Sequence, residues 1–174
     1  MSAVMVQAKE PARRAEVTYR RFELRDTDAL VEIVAREVPQ LPNYRGIHVD
    51  RERVAFLLMN NWNNATYLIG VLEAAGEIVG AVVGWCTPTI FSFENVSLDN
   101  FLWIDPRYRS LRSVGELIRA YKYWALARGA VIVGASFTGG LKPELMDLLL
   151  KRHGFVPIGA LYHLRVTHTI GEPK

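Results

Sequence analysis

The chain has very little cysteine and no long hydrophobic run. Cys86 is the only cysteine among 174 residues, so no disulfide can form within the chain, which is typical of a reducing compartment. Cys86 follows an apolar run, which favours a small buried side chain over a catalytic thiol. No apolar stretch approaches the roughly 20 residues of a membrane span, and residues 1–16 lack the apolar centre of a signal peptide. We therefore expect a cytoplasmic protein with no membrane partner.

Several chemical signatures are also missing. The four histidines show no metal-ligand spacing and no cysteine–histidine cluster is present, so we predict no metal site. The sequence contains no nucleophile elbow, no P-loop and no dinucleotide-binding glycine pattern. These absences argue against zinc enzymes, α/β-hydrolases, P-loop nucleotide hydrolases and nicotinamide-dependent dehydrogenases.

The composition is that of one globular domain. Half of the residues are hydrophobic and 22% are charged, which is ordinary for a folded protein of this length. We expect a flexible arm over residues 1–16 and a single domain over 17–174. The formal net charge of +3 permits contact with phosphate groups without requiring nucleic acid. The oligomeric state stays open, and a homodimer is one of the options.

Hydrophobic periodicity and turn residues predict the element order β-α-α-β-β-β-α-β-α-β. The predicted strands cover 17–24, 66–73, 77–87, 97–105, 131–137 and 155–166. The predicted helices are one capped by Asp26 and stopped by Pro39, one capped by Asp50 and ended within 60–64, one over 113–128 with Gly129 after it, and one begun by Pro143 and ended by Gly154.

This order predicts an α/β fold with a mixed sheet and helices on both faces. The helix over 113–128 joins two strands, which implies a parallel crossover, whereas the hairpin upstream implies antiparallel pairing. The continuous apolar run over 131–137 predicts a strand buried on both faces. The apolar stripe of the long helix is Val114, Leu117, Ile118, Tyr121, Trp124 and Ala125.

A basic loop precedes this long helix. Ser113 with Glu116 fits a capping box, so we expect the helix to begin at Ser113. A helix N-terminus offers free N–H groups and the positive end of the helix dipole, which together favour an anion. Arg107, Arg109 and Arg112 add donors that suit phosphate oxygens. The pattern is equally compatible with a solvated basic turn.

The same segment resembles the acetyl-CoA-binding motif of the GNAT superfamily of N-acetyltransferases. In that motif a strand ends in an apolar residue, any residue and proline, and Arg-x-x-Gly-x-Gly/Ala then opens a helix. Ile104, Asp105 and Pro106 match the strand end, and Arg109 matches the arginine. The element order is similar to the superfamily over 17–166, and small phage-encoded GNAT-like proteins are more similar than bacterial antibiotic acetyltransferases.

The resemblance implies an acetyl-CoA-dependent N-acetyltransferase that acts on a primary amine of a small molecule or a macromolecule. It implies that the pantetheine chain pairs with backbone groups of Leu102 and Ile104. It also implies that the pyrophosphate binds the segment formed by Arg109, Ser110, Leu111, Arg112, Ser113 and Val114.

The sequence departs from the motif at several positions. Arg112 replaces a glycine and Val114 replaces a Gly or Ala, while the nearest glycine is Gly115. The side chain of Arg112 either crowds the cofactor or pairs with a phosphate. Many GNAT enzymes carry a tyrosine that protonates the departing thiolate, and the matching position here is Leu150.

Attack on a thioester needs an uncharged amine, so a carboxylate within reach can act as general base. The resemblance places this base on or before the strand that ends at Pro106, which makes Glu94 and Asp99 the candidates. Each can also be a solvated carboxylate. Tyr162 or His163 on the last predicted strand is the candidate to replace the missing acid, and Tyr162 also fits a half-buried packing residue with a satisfied hydroxyl. We expect the loops 40–49 and 88–95 to determine acceptor specificity.

Two further functions are compatible with the sequence. The departures from the motif suit a binding or structural module that has the fold without catalysis. The basic charge and the phage-like resemblance suit acetylation of an amine on a modified nucleic-acid base.

Overall fold

The computed structural model of the chain describes residues 16–41, 44–136 and 142–158. Within these ranges the strands are β1 (Thr18–Arg21), β2 (Tyr67–Ala74), β3 (Glu77–Pro88), β4 (Asn95–Ile104) and β5 (Ala130–Val133). The helices are α1 (Thr27–Glu37), α2 (Arg51–Asn61), α3 (Leu111–Ala127) and α4 (Pro143–Arg152).

The five strands form one mixed sheet in the order β1-β2-β3-β4-β5. The first four strands pair antiparallel, and β4 and β5 pair parallel across the α3 crossover. The predicted mixed α/β sheet and the predicted element order are therefore confirmed from β1 through α4. The predicted last strand is not seen over 155–158, and the rest of it lies outside the described residues.

Apolar side chains cover both faces of the sheet. On one face, which we call the α3 face, α3 and α4 pack on the sheet, and the whole predicted stripe of α3 is buried there. On the other face, the α1 face, α1 and α2 pack on the sheet. The buried helix residues of the α1 face are Leu30, Val31, Ile33 and Leu58.

Most predicted helix ends are confirmed. Asp50 caps α2, because its side chain accepts a 3.0 Å hydrogen bond from the N–H of Arg53. Gly129 and Gly154 follow α3 and α4 with φ values of 72° and 87°, which is the left-handed region where glycine has no steric penalty.

The strand β5 corrects one prediction. Val131 and Ile132 are both more than half exposed, so this strand is not buried on both faces. The reason is its position at the edge of the described sheet, where it pairs with β4 over only a few residues.

Asp26 precedes α1 but does not cap it, which corrects a second prediction. Its carboxylate instead accepts two hydrogen bonds from Arg20, at 2.6 and 2.9 Å, and one from the N–H of Glu23 at 2.8 Å. Arg20 also pairs with Glu73 on β2. Burial of Asp26 opposes its ionisation, yet the bonds from Arg20 and Glu23 hold its pKa below the ordinary value. The ion pairs of Arg20 with Asp26 and Glu73 therefore link β1, β2 and the start of α1.

We expect Asp26→Asn to lower the free energy of unfolding by about 2–3 kcal/mol at pH 7, because it leaves a half-buried guanidinium with fewer partners. The pKa of Asp26 is depressed in the folded state, so this contribution is complete above the unfolded pKa of about 4 and is lost as pH falls below it. Urea unfolding at pH 7 and pH 3 should show a difference between parent and variant that shrinks in acid. The control is Glu32→Gln, which removes an exposed pair with Arg51 and should change little.

Candidate active site

The sheet opens into a gap between its two parallel strands. Pairing of β4 with β5 ends at Ser97 and Val133, and one further bond joins the N–H of Gly134 to the carbonyl of Ser97 at 2.8 Å. Beyond this point β4 continues to Ile104 without β5 beside it. Gaps at the carboxyl ends of parallel strands are where α/β proteins typically bind ligands.

A β-bulge lies in β4 where the gap begins. Val83 pairs with Phe101 whereas Gly84 pairs with Asp99, so Asn100 is an extra residue on the β4 side. The bulge shifts the alternation of side chains, because Ser97 before it and Leu102 after it both contact the α3 face. Asn100 itself is exposed.

Among the described residues, no strand pairs with the edge of β4 that borders the gap beyond Ser97. The N–H of Asp105 donates to the carbonyl of Val79 on β3 at 2.9 Å. Because backbone groups alternate along a strand, the N–H and C=O groups of Leu102 and Ile104 face away from β3 and toward the gap. The carbonyl of Ile104 accepts a 3.1 Å hydrogen bond from Arg109, so one of these groups is already occupied.

Tyr121 of α3 fixes the point where the two strands separate. Its hydroxyl donates to the carbonyl of Gly134 at 2.7 Å and accepts from the hydroxyl of Ser97 at 3.1 Å, so it bonds to both strands. Burial raises the pKa of Tyr121, which keeps the donating proton in place. Gly84 leaves room for the ring, since a Cβ there would lie 2.6 Å from it.

We expect Tyr121→Phe to lower the free energy of unfolding by about 1–2 kcal/mol, because the variant keeps the ring but leaves the carbonyl of Gly134 without this donor. Tyr123→Phe is the matched control, since Tyr123 lies on the same helix and is mostly exposed. Denaturant unfolding measures both. Equal losses in the two variants would contradict a role for the Tyr121 hydroxyl.

Asp99 lies at the gap, beside the bulge. Its carboxylate accepts the N–H of Ser136 at 2.6 Å and the hydroxyl of Ser136 at 3.2 Å, and these bonds span the gap beyond the end of β5. Burial raises the pKa of Asp99, although the bonds from Ser136 act in the opposite direction. A half-buried carboxylate with a raised pKa, placed where two parallel strands separate, is suited to general base catalysis.

The other predicted catalytic residues are not near Asp99 in the described structure. Glu94 is exposed in the β3–β4 loop, six residues and about 20 Å of strand from the bulge. The loop 88–95 therefore lies at the opposite end of β4 from the start of α3. Tyr162 lies outside the described residues. Leu150 of α4 is half-buried against the core of the α3 face.

The long helix begins earlier than predicted, and Ser110 rather than Ser113 caps it. Ser110 has extended backbone, and its hydroxyl accepts the N–H of Ser113 at 3.1 Å. The hydroxyl of Ser113 in turn donates to the carbonyl of Tyr108 at 2.9 Å. Glu116 binds Arg119 instead of closing a capping box. Two serines three residues apart both fit a cap in the sequence, and only the first has the backbone conformation of one.

Two N–H groups in the first turn of α3 have no hydrogen-bond partner among the described residues. The N–H of Ser113 and the N–H of Val114 both bond to Ser110, and the side chain of Val114 is buried in the core. Leu111 and Arg112 occupy the first two helical positions, where helix geometry provides no partner for the N–H. Within the segment predicted to bind the pyrophosphate, Leu111 and Arg112 are thus the residues whose backbone N–H groups are available to a ligand.

The three arginines of the basic loop have different surroundings. Arg107 forms a surface ion pair with Asp105 at 2.8 Å, and Arg109 bonds to the end of β4. Arg112 is exposed and has no hydrogen-bond or ion-pair partner in the described ranges. A helix that began at Ser113 would leave Arg112 in the preceding loop, but Arg112 lies in the first turn of α3, after the capping residue Ser110. Arg112 is therefore the guanidinium most available to an anion.

Gly115, the displaced glycine, faces α4. A Cβ at this position would lie 3.4 Å from Nε2 of His153, which is an ordinary van der Waals contact, so the packing of α3 against the end of α4 does not require a glycine here. The amine of Lys122 donates to the carbonyl of His153 at 2.7 Å. The position matched to the glycine of the cofactor motif is occupied by Arg112.

A cavity of about 620 Å³ lies elsewhere, between α3, β5, α4 and residues 155–158. Its lining includes Leu126, Val131 and Leu150 and does not include Asp99 or the start of α3. We assign the candidate site to the gap between β4 and β5, because that is where the carboxylate and the open backbone groups lie.

Within the described ranges no cluster of metal-ligating side chains is present, so nothing observed there contradicts the prediction of no metal site. None of the described helices combines the length and apolar character needed to cross a bilayer.

The fold is similar to that of solved acetyltransferases of the GNAT type. Glucosamine-6-phosphate N-acetyltransferase from Arabidopsis thaliana superposes with a TM-score of 0.68 at 13% identity, over 87% of this chain and 99% of that one. Ribosomal-protein-alanine N-acetyltransferase from Brucella melitensis biovar Abortus 2308 superposes with a TM-score of 0.64 at 17% identity, over 86% of this chain and 99% of that one. A predicted acetyltransferase from Clostridium acetobutylicum, solved with acetyl-CoA, superposes with a TM-score of 0.65 at 17% identity, over 86% of this chain and 96% of that one.

These similarities show that the chain has a GNAT-like α/β fold. No protein-family model matches the sequence, and no curated protein is significantly similar to it. The similar proteins named above act on a sugar phosphate and on a ribosomal protein, so the shared fold alone does not define the acceptor. None of the three is a phage protein, and the phage-like resemblance stays a prediction.

Proposed function

We propose that the protein is an N-acetyltransferase that transfers the acetyl group of acetyl-CoA to a primary amine. The observation that carries this proposal is the gap between β4 and β5, where a bulge, an open strand edge and a half-buried carboxylate lie together. The GNAT-like fold supports it, since a similar structure holds acetyl-CoA.

The residues present fit the cofactor at two places. The N–H groups of Leu111 and Arg112, with the Arg112 guanidinium, form a cationic site for the pyrophosphate at the N-terminus of α3. The open groups of Leu102 and the N–H of Ile104 can pair with the amides of pantetheine in the way an added strand pairs with a sheet edge. Arg109 holds the basic loop against β4, and its predicted phosphate contact stays a prediction.

The acetyl group arrives as a thioester. In the proposed reaction the amine nitrogen bonds to the thioester carbonyl carbon, Asp99 takes the proton that the nitrogen loses, directly or through water, and the C–S bond breaks. The electron pair leaves with the coenzyme A sulfur, which takes a proton. Leu150 cannot supply that proton, and Tyr162 stays the predicted donor.

Titration calorimetry with coenzyme A and acetyl-CoA tests binding, and release of free thiol over an amine panel tests transfer. The panel includes a hexosamine phosphate, a peptide with N-terminal alanine and an oligonucleotide that carries an amine. We expect micromolar to millimolar binding and acceptor-dependent thiol release. Binding without release for any amine would support the alternative of a binding module, and absence of binding would overturn the proposal.

A further inference from the structure

The loop between β3 and β4 ends in a fully exposed apolar tip. Ile90, Phe91 and Phe93 are 92, 91 and 99% exposed, which leaves each of these large side chains almost entirely in water. They lie within four consecutive residues of one loop. We call these three residues the apolar tip.

Four of the six backbone N–H groups from Thr89 to Glu94 bond within this loop. The N–H of Thr89 donates to the carbonyl of Glu94 at 3.0 Å and closes the loop. The hydroxyl oxygen of Thr89 accepts the N–H groups of Phe91 and Ser92 at 3.1 and 2.8 Å, and the hydroxyl of Ser92 accepts the N–H of Glu94 at 3.2 Å. An exposed loop does not need internal partners for its N–H groups in water, whereas a loop that enters an apolar medium does.

The surroundings of the tip are poor in charge. The segments 60–66 and 85–93 contain no charged residue. The turn before β2 lies beside the base of the loop, since the carbonyl of Thr66 accepts the N–H of Cys86. This arrangement places the partly exposed rings of Trp62 and Trp85 at the same end of the sheet, set back from the tip. Tryptophan is enriched at membrane–water interfaces, where one side of the ring is apolar and the other is wet.

Two opposite charges flank the loop. Glu94 ends it, and Arg128 lies beside its base, because the side chain of Asn95 donates to the carbonyl of Arg128 at 2.9 Å. Attachment through this surface is therefore driven by apolar burial and not by electrostatic attraction.

We propose that the apolar tip docks the protein on a lipid bilayer by insertion into its interfacial region, which departs from the expectation of no membrane partner drawn from the sequence. Two phenyl rings and one isoleucine supply roughly 500 Å² of apolar surface. This falls short of the roughly 800 Å² that each partner buries in a stable protein interface. Insertion of side chains into a bilayer needs no such minimum area, because the strength of membrane binding scales with the apolar area buried. The tip protrudes, since its three side chains are more than nine-tenths exposed, and most N–H groups of its loop are bonded within the loop, which suits insertion into a lipid surface.

Docking at this end leaves the candidate active site open. The tip lies at the start of β4, whereas the gap and the N-terminus of α3 lie toward its other end. The proposal is independent of the proposed acetyltransferase activity.

Co-sedimentation with phosphatidylcholine vesicles tests the proposal. We expect the parent to bind, the double variant Phe91→Ser/Phe93→Ser to bind about tenfold more weakly or less, and the affinity to change little between 0.1 and 0.5 M salt. The control Phe56→Ser/Tyr123→Ser removes two other exposed aromatic rings and should bind like the parent. Far-UV circular dichroism and thermal unfolding confirm that each variant is folded.

Three outcomes overturn the proposal. The first is absence of binding to neutral vesicles. The second is equal loss in the tip variant and in the control, which shows general surface stickiness. The third is concentration-dependent self-association of the parent that the tip variant abolishes, since this shows that the tip contacts a second copy of the chain.

Discussion

Replacing Asp99 by asparagine is expected to lower the turnover of acetyl transfer by about 10²–10⁴, with the affinity for coenzyme A nearly unchanged. Asparagine has the same shape, and its side-chain oxygen can still accept the N–H of Ser136, so the bond that spans the gap is retained. What the variant loses is the ability to take a proton. Steady-state kinetics with the best amine of the panel, together with titration calorimetry, measures the two quantities separately.

The pH profile gives a second measurement on the same variant. Burial raises the pKa of Asp99 and the base must be ionised, so the acid limb of kcat/KM for the parent should lie above the ordinary aspartate pKa of about 3.9. The limb set by Asp99 should be absent in Asp99→Asn, whereas the limb set by protonation of the acceptor amine should remain in both proteins. The matched control is Glu94→Gln, because Glu94 lies at the far end of β4. Parental turnover in Asp99→Asn, or a large loss in Glu94→Gln, would show that we have chosen the wrong carboxylate.

The second large effect is a loss of coenzyme A affinity on replacement of Arg112. We expect Arg112→Ala to weaken coenzyme A binding by about 1–2 kcal/mol at low salt, which is roughly 5- to 30-fold, because it removes an exposed cation beside two free helix N–H groups. The loss should shrink at high salt, where screening weakens the contact in the parent. Arg107→Ala is the control, since Arg107 is already paired with Asp105 and should matter less.

Arg112→Gly separates the two physical roles of this side chain. Glycine restores the residue of the motif, so steric crowding by Arg112 predicts tighter binding at every salt concentration. An electrostatic contact predicts weaker binding that depends on salt. Tighter binding by Arg112→Gly would contradict our interpretation of the first turn of α3.

The order of elements could be predicted because local signals agree with the final structure. Asp50 precedes the predicted second helix and does cap α2, and Gly129 and Gly154 follow their helices in the left-handed conformation. The stripe of α3 has helical spacing and is wholly buried. Where a side chain has a choice of partners, local reasoning fails. Asp26 is a good capping residue by type, but Arg20 on β1 binds it instead.

The candidate site depends on contacts that no local pattern encodes. The bulge at Asn100 exists only in the pairing of β3 with β4, and the bond between Asp99 and Ser136 joins residues 37 positions apart. The exposure of Val131 follows from the place of β5 in the sheet and not from its apolar composition. The sequence does identify the strand, the basic loop and the two candidate carboxylates, and only the structure separates Asp99 from Glu94.

The helix α3 joins the two halves of the candidate site as one rigid rod. Its first turn carries the anion-binding groups, and Tyr121, near its middle, bonds to both strands where they separate. Each residue of an α-helix advances 1.5 Å and rotates by 100°, so the number of residues between Arg112 and Tyr121 sets both their spacing and their relative orientation. Insertion or deletion of a single residue between them would rotate the hydroxyl of Tyr121 away from Gly134. Chain length in this interval is consequently fixed by the geometry of the helix.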